Sequence, residues 1–190
     1  LYRGVTLFAL ENGYFAADGV NFSDFSGELK GLDLHFGEGG KLYMDSRCIE
    51  EEIRSMRISS LVSPISAASY VREFVEEKLH YLARDGRVVM DGRDIGTTVF
   101  PNAQIKIFMT ASEKVRVQRR YDEMVAKGQS PLMEDVLKNL RERDYIDSHR
   151  EISPLSRAED SYLMDNSDMT LKEELEWAKG LIRGRFVIYD

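Results

Sequence analysis

Apolar residues recur at positions 1, 5, 8 and 9 and the run closes at Gly13, which predicts a helix over 1–12 with a glycine stop. Tyr2 and Arg3 fall off that stripe. Residues 17–31 are polar and turn-rich, and two alternating runs follow, 32–36 and 41–49, joined by Gly37-Glu38-Gly39-Gly40. Alternation on both sides of a glycine-rich joint predicts an antiparallel hairpin with one face exposed. Residues 50–62 read as a helix interrupted at Ser63-Pro64, and 67–85 as a longer amphipathic helix ending at Gly86. Three short apolar runs, 88–91, 105–109 and 162–164, read as buried strands. Helices fill the intervals: one after Thr110-Ala-Ser-Glu113, read as a capping box, to about Gly128; one from about 132 past 145; and one from Thr170-Leu-Lys-Glu173 through 181. Strands alternating with helices predict an α/β fold, a parallel sheet with helices on both faces, into which the hairpin is inserted.

Composition narrows the function classes. With 190 residues, 43% hydrophobic and 31% charged, the chain suffices for one sizeable domain. A formal charge of -7 argues against a dedicated binder of nucleic acid or anionic membranes. A single cysteine, Cys48, excludes an internal disulfide; it reads as a small hydrophobe of the hairpin, in a cytoplasmic protein. No apolar run approaches the ~20 residues that span a bilayer, and no secretory segment opens the chain.

The candidate chemistry begins where the run 88–91 breaks into Asp91-Gly92-Arg93-Asp94-Ile95-Gly96. Asp-Gly alone is an ordinary turn. Two aspartates bracketing an arginine behind four apolar residues point instead to polar groups delivered at the carboxyl end of a strand. Arg93 offers a planar fork for phosphate or carboxylate. Asp91 and Asp94 are suited to holding that arginine, a metal's waters, or the donors of a base or sugar. Arg143, Asp147 and Arg150 stand at i, i+4 and i+7, hence on one helical face. Seven arginines, at 116, 119, 120, 141, 143, 150 and 157, crowd into 42 residues of an acidic chain. Such crowding suits phosphoryl transfer better than a solvated ladder of ion pairs. His35, His80 and His149 lack ligand spacing and read as structural or exposed. Neither a nucleophile elbow Gly-x-Ser-x-Gly, nor Gly-x-x-x-x-Gly-Lys, nor Gly-x-Gly-x-x-Gly occurs within residues 1–190.

Taken together these residues resemble bacterial cytidylate kinase, of the nucleoside-monophosphate kinase group of P-loop kinases. The resemblance runs from Leu1 to about Leu181. It is carried by Tyr2-Arg3, Ser63-Pro64, Val71-Arg72-Glu73, Asp91-Gly92-Arg93-Asp94-Ile95-Gly96-Thr97, Phe100-Pro101, Arg119-Arg120, Arg143-Asp144 with Asp147 and Arg150, and Ser153-Pro154-Leu155. It implies transfer of the ATP γ-phosphoryl group to CMP or dCMP with Mg2+, by a monomer that binds neither nucleic acid nor membrane. It also implies a parallel sheet in the order 2-3-1-4-5, with the monophosphate region in 1–85, an insert at about 17–55, core at 86–112 and 160–190, and a lid at 113–157. Within that implied site, Tyr2 belongs to the substrate contacts, Arg3 and Arg72 hold the acceptor's phosphate, and Ser63, Arg93 and Asp94 face the cytosine or its surroundings. Asp147 meets the sugar hydroxyls, Arg119, Arg143 and Arg150 act on the phosphates during transfer, and Asp91 touches magnesium through water.

One departure sets a further expectation. The family opens with a strand and a phosphate loop that residues 1–190 do not contain, so the chain as written is expected not to turn over ATP usefully. The tail 186–190, Phe-Val-Ile-Tyr-Asp, resembles the family's second strand, and is expected to pair in parallel with 88–91 and to end within ~14 Å of Leu1. The rival readings are a uridylate or adenylate kinase, and a nucleotide-binding protein without catalysis.

Overall fold

The computed structural model describes residues 1–16, 19–20 and 22–186, in two compact units. The first comprises Leu1–Arg93 and Glu142–Leu155, the second Asp94–Arg141 and Ser156–Asp190.

In the first unit, helix α1 (Tyr2–Glu11) buries Val5 and Ala9 completely and ends at Gly13, whose φ of 74° is the expected glycine stop. Strands β1 (Phe15–Ala16) and β2 (Gly19–Val20) pair antiparallel and lead into α2 (Phe22–Leu29), where a turn-rich segment was expected. Phe25 and Leu29, one helical turn apart, lie in the core at 0% and 2% exposure, and that pair of anchors outweighs the polar residues around it. The hairpin forms as β3 (Leu34–Phe36) against β4 (Leu42–Met44), with β5 (Arg47–Cys48) as a third antiparallel strand. Leu34 and Leu42 press on α1 at Gly4, where an added Cβ would stand 3.0 and 3.1 Å from their methyl groups. Cys48 is exposed, against its reading as a small hydrophobe of the hairpin, because it lies on a two-residue edge strand of which both residues are exposed.

Glu50 braces this region: its carboxylate accepts the Leu42 N–H at 3.1 Å and the Arg54 Nε–H at 2.8 Å. Burial pushes its carboxyl group up, but Arg54, the Leu42 amide and Lys41 together hold it below the usual glutamate range.

Helix α3 (Met56–Ala67) starts later than expected, after one 3-10 turn at Glu52–Arg54, with Ser55 accepting the Ile58 N–H as its cap. It also runs through Ser63-Pro64 rather than breaking there. Proline removes one ladder bond, whereas Ile58, Val62 and Ile65 drive one face into the core at 1%, 7% and 0% exposure. The break falls at Ala68, in extended conformation, and α4 (Ser69–Ala83) follows, with Gly86 at φ 68° closing the segment.

Residues 88–91 do not form the expected strand. A strand needs a ladder, and no strand pairs with this run among the described residues; Val88 is 46% and Val89 98% exposed. Four of the five residues of the tail, 187–190, lie outside the described residues, as do the expected pairing and its distance to Leu1.

In the second unit, β6 (Ile107–Thr110) and β7 (Tyr162–Asp165) pair in parallel, Ile107 opposite Tyr162. This two-stranded sheet is what the described residues show of the expected five-strand order. Of β7 only Met164 is buried, with Tyr162 and Leu163 42% and 48% exposed. Helix α5 (Glu113–Ala126) is capped by Ser112, which accepts the Val115 N–H, and not by Thr110, which the β6 ladder has already claimed. Helix α6 (Met133–His149) follows, and α7 (Leu171–Arg185) opens with the expected capping box of Thr170 and Glu173. No helix among the described residues is long and apolar enough to cross a membrane.

Candidate functional site

The apolar face of α3 turns inward, and beside it the helix carries Ser59, Ser63 and Ser66, at i, i+4 and i+7. All three are buried, at 0%, 1% and 6% exposure. The last turns of α6 and the residue after it carry Arg143, Asp147 and Arg150 at the same spacing, as expected for one helical face. Arg143 Nη1 donates to Ser59 Oγ at 3.1 Å, and Arg150 Nη1 donates to Ser66 Oγ at 3.3 Å. Both bonds span 84 positions in the same order, so the two helices run in the same direction. Between them Asp147, 3% exposed, accepts the Nε–H of Arg93 at 3.0 Å.

Two further features fix this arrangement. Ser66 Oγ donates to the Ser63 carbonyl at 3.0 Å, which directs the hydroxyl lone pairs outward from α3. Beyond α6 the chain folds back through Ser153, at φ 50°, whose carbonyl accepts Arg150 Nε–H at 2.8 Å, while the Leu155 N–H returns to the Asp147 carbonyl at 2.7 Å.

Arg72, in the first turn of α4, is 2% exposed. Its Nη2 donates to Glu76 at 2.9 Å, its Nη1 to the Ser66 carbonyl at 3.4 Å, and its guanidinium stands 5.8 Å from the Tyr2 ring centre. Arg3 is tied by Nη1 to the Ile53 carbonyl at 2.8 Å. Guanidinium groups gathered in this way suit the oxygens of an anionic ligand. Ser63 Oγ, fully enclosed, has no hydrogen-bond partner among the described residues. A buried hydroxyl in that state is suited to a ligand's polar edge.

The structure thus gathers Arg72, Arg93, Arg143, Asp147, Arg150 and Ser63 in the first unit, with Tyr2 and Arg3 on α1. Asp94 and Arg119 belong to the second unit. Asp94 is 5% exposed, and its carbonyl takes the Thr98 N–H at 2.9 Å at the start of a π-helical turn, Ile95–Val99. Arg119 donates to the Asn166 side chain at 3.0 Å and to the Asn166 and Met169 carbonyls at 2.7 and 3.2 Å. Two of the crowded arginines form ion pairs within the second unit, Arg120, largely buried, with Glu123 and Arg141, exposed, with Glu113. Sequence reasoning missed Ser59, Ser66 and Glu76; the signal for the two serines was their spacing about Ser63, equal to that of the α6 residues.

Among the described residues no group of three or more His, Cys, Asp or Glu side chains is placed to hold a metal ion. Magnesium carried on a nucleotide's phosphates needs only one or two carboxylates or their waters. Asp91, exposed beside Arg93, has the right chemistry for that lesser demand.

Comparison with known proteins fits this chemistry. Residues 1–183 match the family described as Cytidylate kinase. The cytidylate kinase of Bacteroides thetaiotaomicron is 44% identical over 182 residues, 93% of this chain and 80% of that protein. That of Porphyromonas gingivalis is 42% identical over 183 residues (93% and 79%), and that of Flavobacterium psychrophilum 41% over 187 residues (96% and 83%).

Proposed function

The chain belongs to the cytidylate kinase family, a family of phosphotransferases, and from that membership we propose that its buried arginine-serine cluster receives CMP or dCMP for phosphorylation by ATP. The observation that carries the reading is the pair of equally spaced sets, Ser59, Ser63 and Ser66 on α3 and Arg143, Asp147 and Arg150, joined at Ser59–Arg143 and Ser66–Arg150. Guanidinium forks suit phosphate oxygens, a carboxylate suits sugar hydroxyls, and the enclosed Ser63 hydroxyl suits a base edge.

In this reading Arg72, with Arg3 and Tyr2, holds the acceptor's phosphate. Arg93 and Ser63 turn to the cytosine, and Asp147 to the sugar, with Arg93 keeping the Asp147 carboxylate oriented in the absence of substrate. Arg143 and Arg150 stabilise charge on the phosphoryl group as it moves. Fixed donors of this kind cost no reorganisation at the moment of transfer. Asp94 and Arg119 join the substrate and catalytic sets on the strength of the resemblance. Magnesium, when bound with ATP, supplies charge neutralisation at the phosphates, and Asp91 is the carboxylate proposed to orient its waters.

Initial rates with CMP, dCMP, UMP and AMP at equal MgATP, measured on a protein that includes the strand and phosphate loop with which the family opens, together with calorimetric titration of each monophosphate, test the reading. Preference for the cytidine nucleotides in both measurements is expected. Equal or better use of UMP or AMP, or no binding of CMP, overturns it.

A further inference from the structure

We propose that Ser66 is a positioning residue that holds two arginines through two different atoms, and so assigns them to different steps; the proposal rests on the reading of the cluster as the CMP site. Ser66 is 6% exposed near the end of α3. Its carbonyl accepts Arg72 Nη1 at 3.4 Å, and its hydroxyl accepts Arg150 Nη1 at 3.3 Å. The hydroxyl proton is committed to the Ser63 carbonyl at 3.0 Å. With the proton spent there, the oxygen presents only lone pairs to Arg150 and cannot swing round to act as a donor.

This arrangement has a chemical logic. Arg72 comes from α4 and Arg150 from the end of α6, two elements with no chain continuity between them. Two guanidiniums converging on one phosphate site repel each other until substrate arrives, and each needs an acceptor to keep its fork aimed. Beside the Glu76 carboxylate that takes Arg72 Nη2 and the Ser153 carbonyl that takes Arg150 Nε, one residue supplies an acceptor to the Nη1 of each. The carbonyl belongs to the backbone and survives any substitution at 66, whereas the hydroxyl is removed by alanine. The anchoring of Arg72 and of Arg150 is therefore separable by one mutation.

The separation predicts a kinetic signature. Arg72 acts on the acceptor phosphate in the ground state, so its anchoring governs the KM for CMP. Arg150 acts on the migrating phosphoryl group, so its anchoring governs kcat, and a loosely held catalytic group costs on the order of tenfold or more. Neither Ser59 nor Ser63 has this double role: Ser59 meets Arg143 by its hydroxyl at 3.1 Å, and Ser63 has its carbonyl taken by Ser66.

The test is steady-state and single-turnover kinetics, in a protein that includes the strand and phosphate loop with which the family opens, of the wild type, Ser66→Ala, Arg150→Ala and the double variant. Alanine favours the helix, and thermal melts verify that each protein is folded. The expected result is a kcat about tenfold lower in Ser66→Ala, with the KM for CMP within about twofold of wild type and little further loss when the serine is removed from Arg150→Ala. An unchanged kcat in Ser66→Ala, a rise in KM alone, or an equal loss in both backgrounds overturns the proposal while leaving the CMP site standing. Should Arg150→Ala itself leave kcat unchanged, the assignment of Arg150 to phosphoryl transfer falls, and the role of Ser66 with it.

Discussion

Arg93 donates its Nε–H to the Oδ2 of Asp147 at 3.0 Å, an exposed side chain holding a buried one: the arginine side chain is 46% exposed and the aspartate side chain 4%. The two stand 54 positions apart, in a surface turn and on α6. The carboxylate is thereby held in place on α6, while the half-exposed guanidinium retains further donors that can serve a ligand.

Removing Arg93 separates binding from folding. Arg93→Ala is expected to cost about 1–3 kcal/mol of stability, because the buried Asp147 carboxylate loses a charged hydrogen-bond donor. In the enzyme with its phosphate loop present, kcat/KM for CMP is expected to fall by about 10²-fold. Kinetics and a thermal melt on the same preparation check this; a large melt shift with intact kinetics would make Arg93 a structural brace only.

Ser63 behaves in the opposite way from most buried polar residues. Since its hydroxyl has no partner among the described residues, Ser63→Ala is expected to leave the free protein as stable or to raise stability by about 1 kcal/mol. CMP affinity is expected to drop about tenfold. Calorimetry beside denaturant unfolding decides, and a clear loss of stability with unchanged CMP binding would sink the assignment.

Acid should loosen the hairpin through Glu50. Its carboxyl is held below the unfolded value of 4.5, so the folded state keeps it ionised where the unfolded chain takes up a proton. The stability it contributes is complete above about pH 4.5 and drains away as pH falls through the lower folded value. Thermal melts of the wild type should therefore decline more steeply below about pH 4.5 than those of Glu50→Gln. Parallel curves would refute the contribution.

Two glycines of the first unit should answer alanine with opposite signs. At Gly37 a Cβ would lie 2.6 Å from Cε2 of Tyr43, whose ring stacks on His35 at 5.7 Å and cannot retreat without giving up that contact. Gly37→Ala is expected to cost about 1–3 kcal/mol. At Gly27, exposed in α2, nothing lies within 4 Å of an added Cβ, and alanine should stabilise by about 0.5–1 kcal/mol. Urea unfolding of the two variants provides the comparison.

What was legible in the sequence was what short stretches determine. The Thr170 and Glu173 box, the Gly13, Gly86 and Gly128 stops and the hairpin around Gly37–Gly40 involve neighbours a few positions apart, and all formed. Residues 88–91 show the limit: an apolar run records a preference for burial but not the neighbours that would provide it. Pro64 and Cys48 show the same limit from the other side, since the core overrides a helix breaker and an uncovered edge exposes a cysteine. In the site, the face shared by Arg143, Asp147 and Arg150 followed from helical periodicity alone. Its serine partners did not, because both connecting bonds cross 84 positions, and Arg119 proved to share a unit with Asn166 and not with Arg143.

That common offset governs which length changes the chain can absorb. A residue added or lost between α3 and α6 moves both rungs together and leaves Ser59 opposite Arg143 and Ser66 opposite Arg150. A residue added between Ser59 and Ser66 instead rotates one rung by about 100° relative to the other, and no substitution elsewhere restores it. For these two rungs the length of the chain between the helices is free to vary, whereas the eight residues 59–66 and the eight residues 143–150 are fixed in count by the need to keep two screws of equal pitch in step.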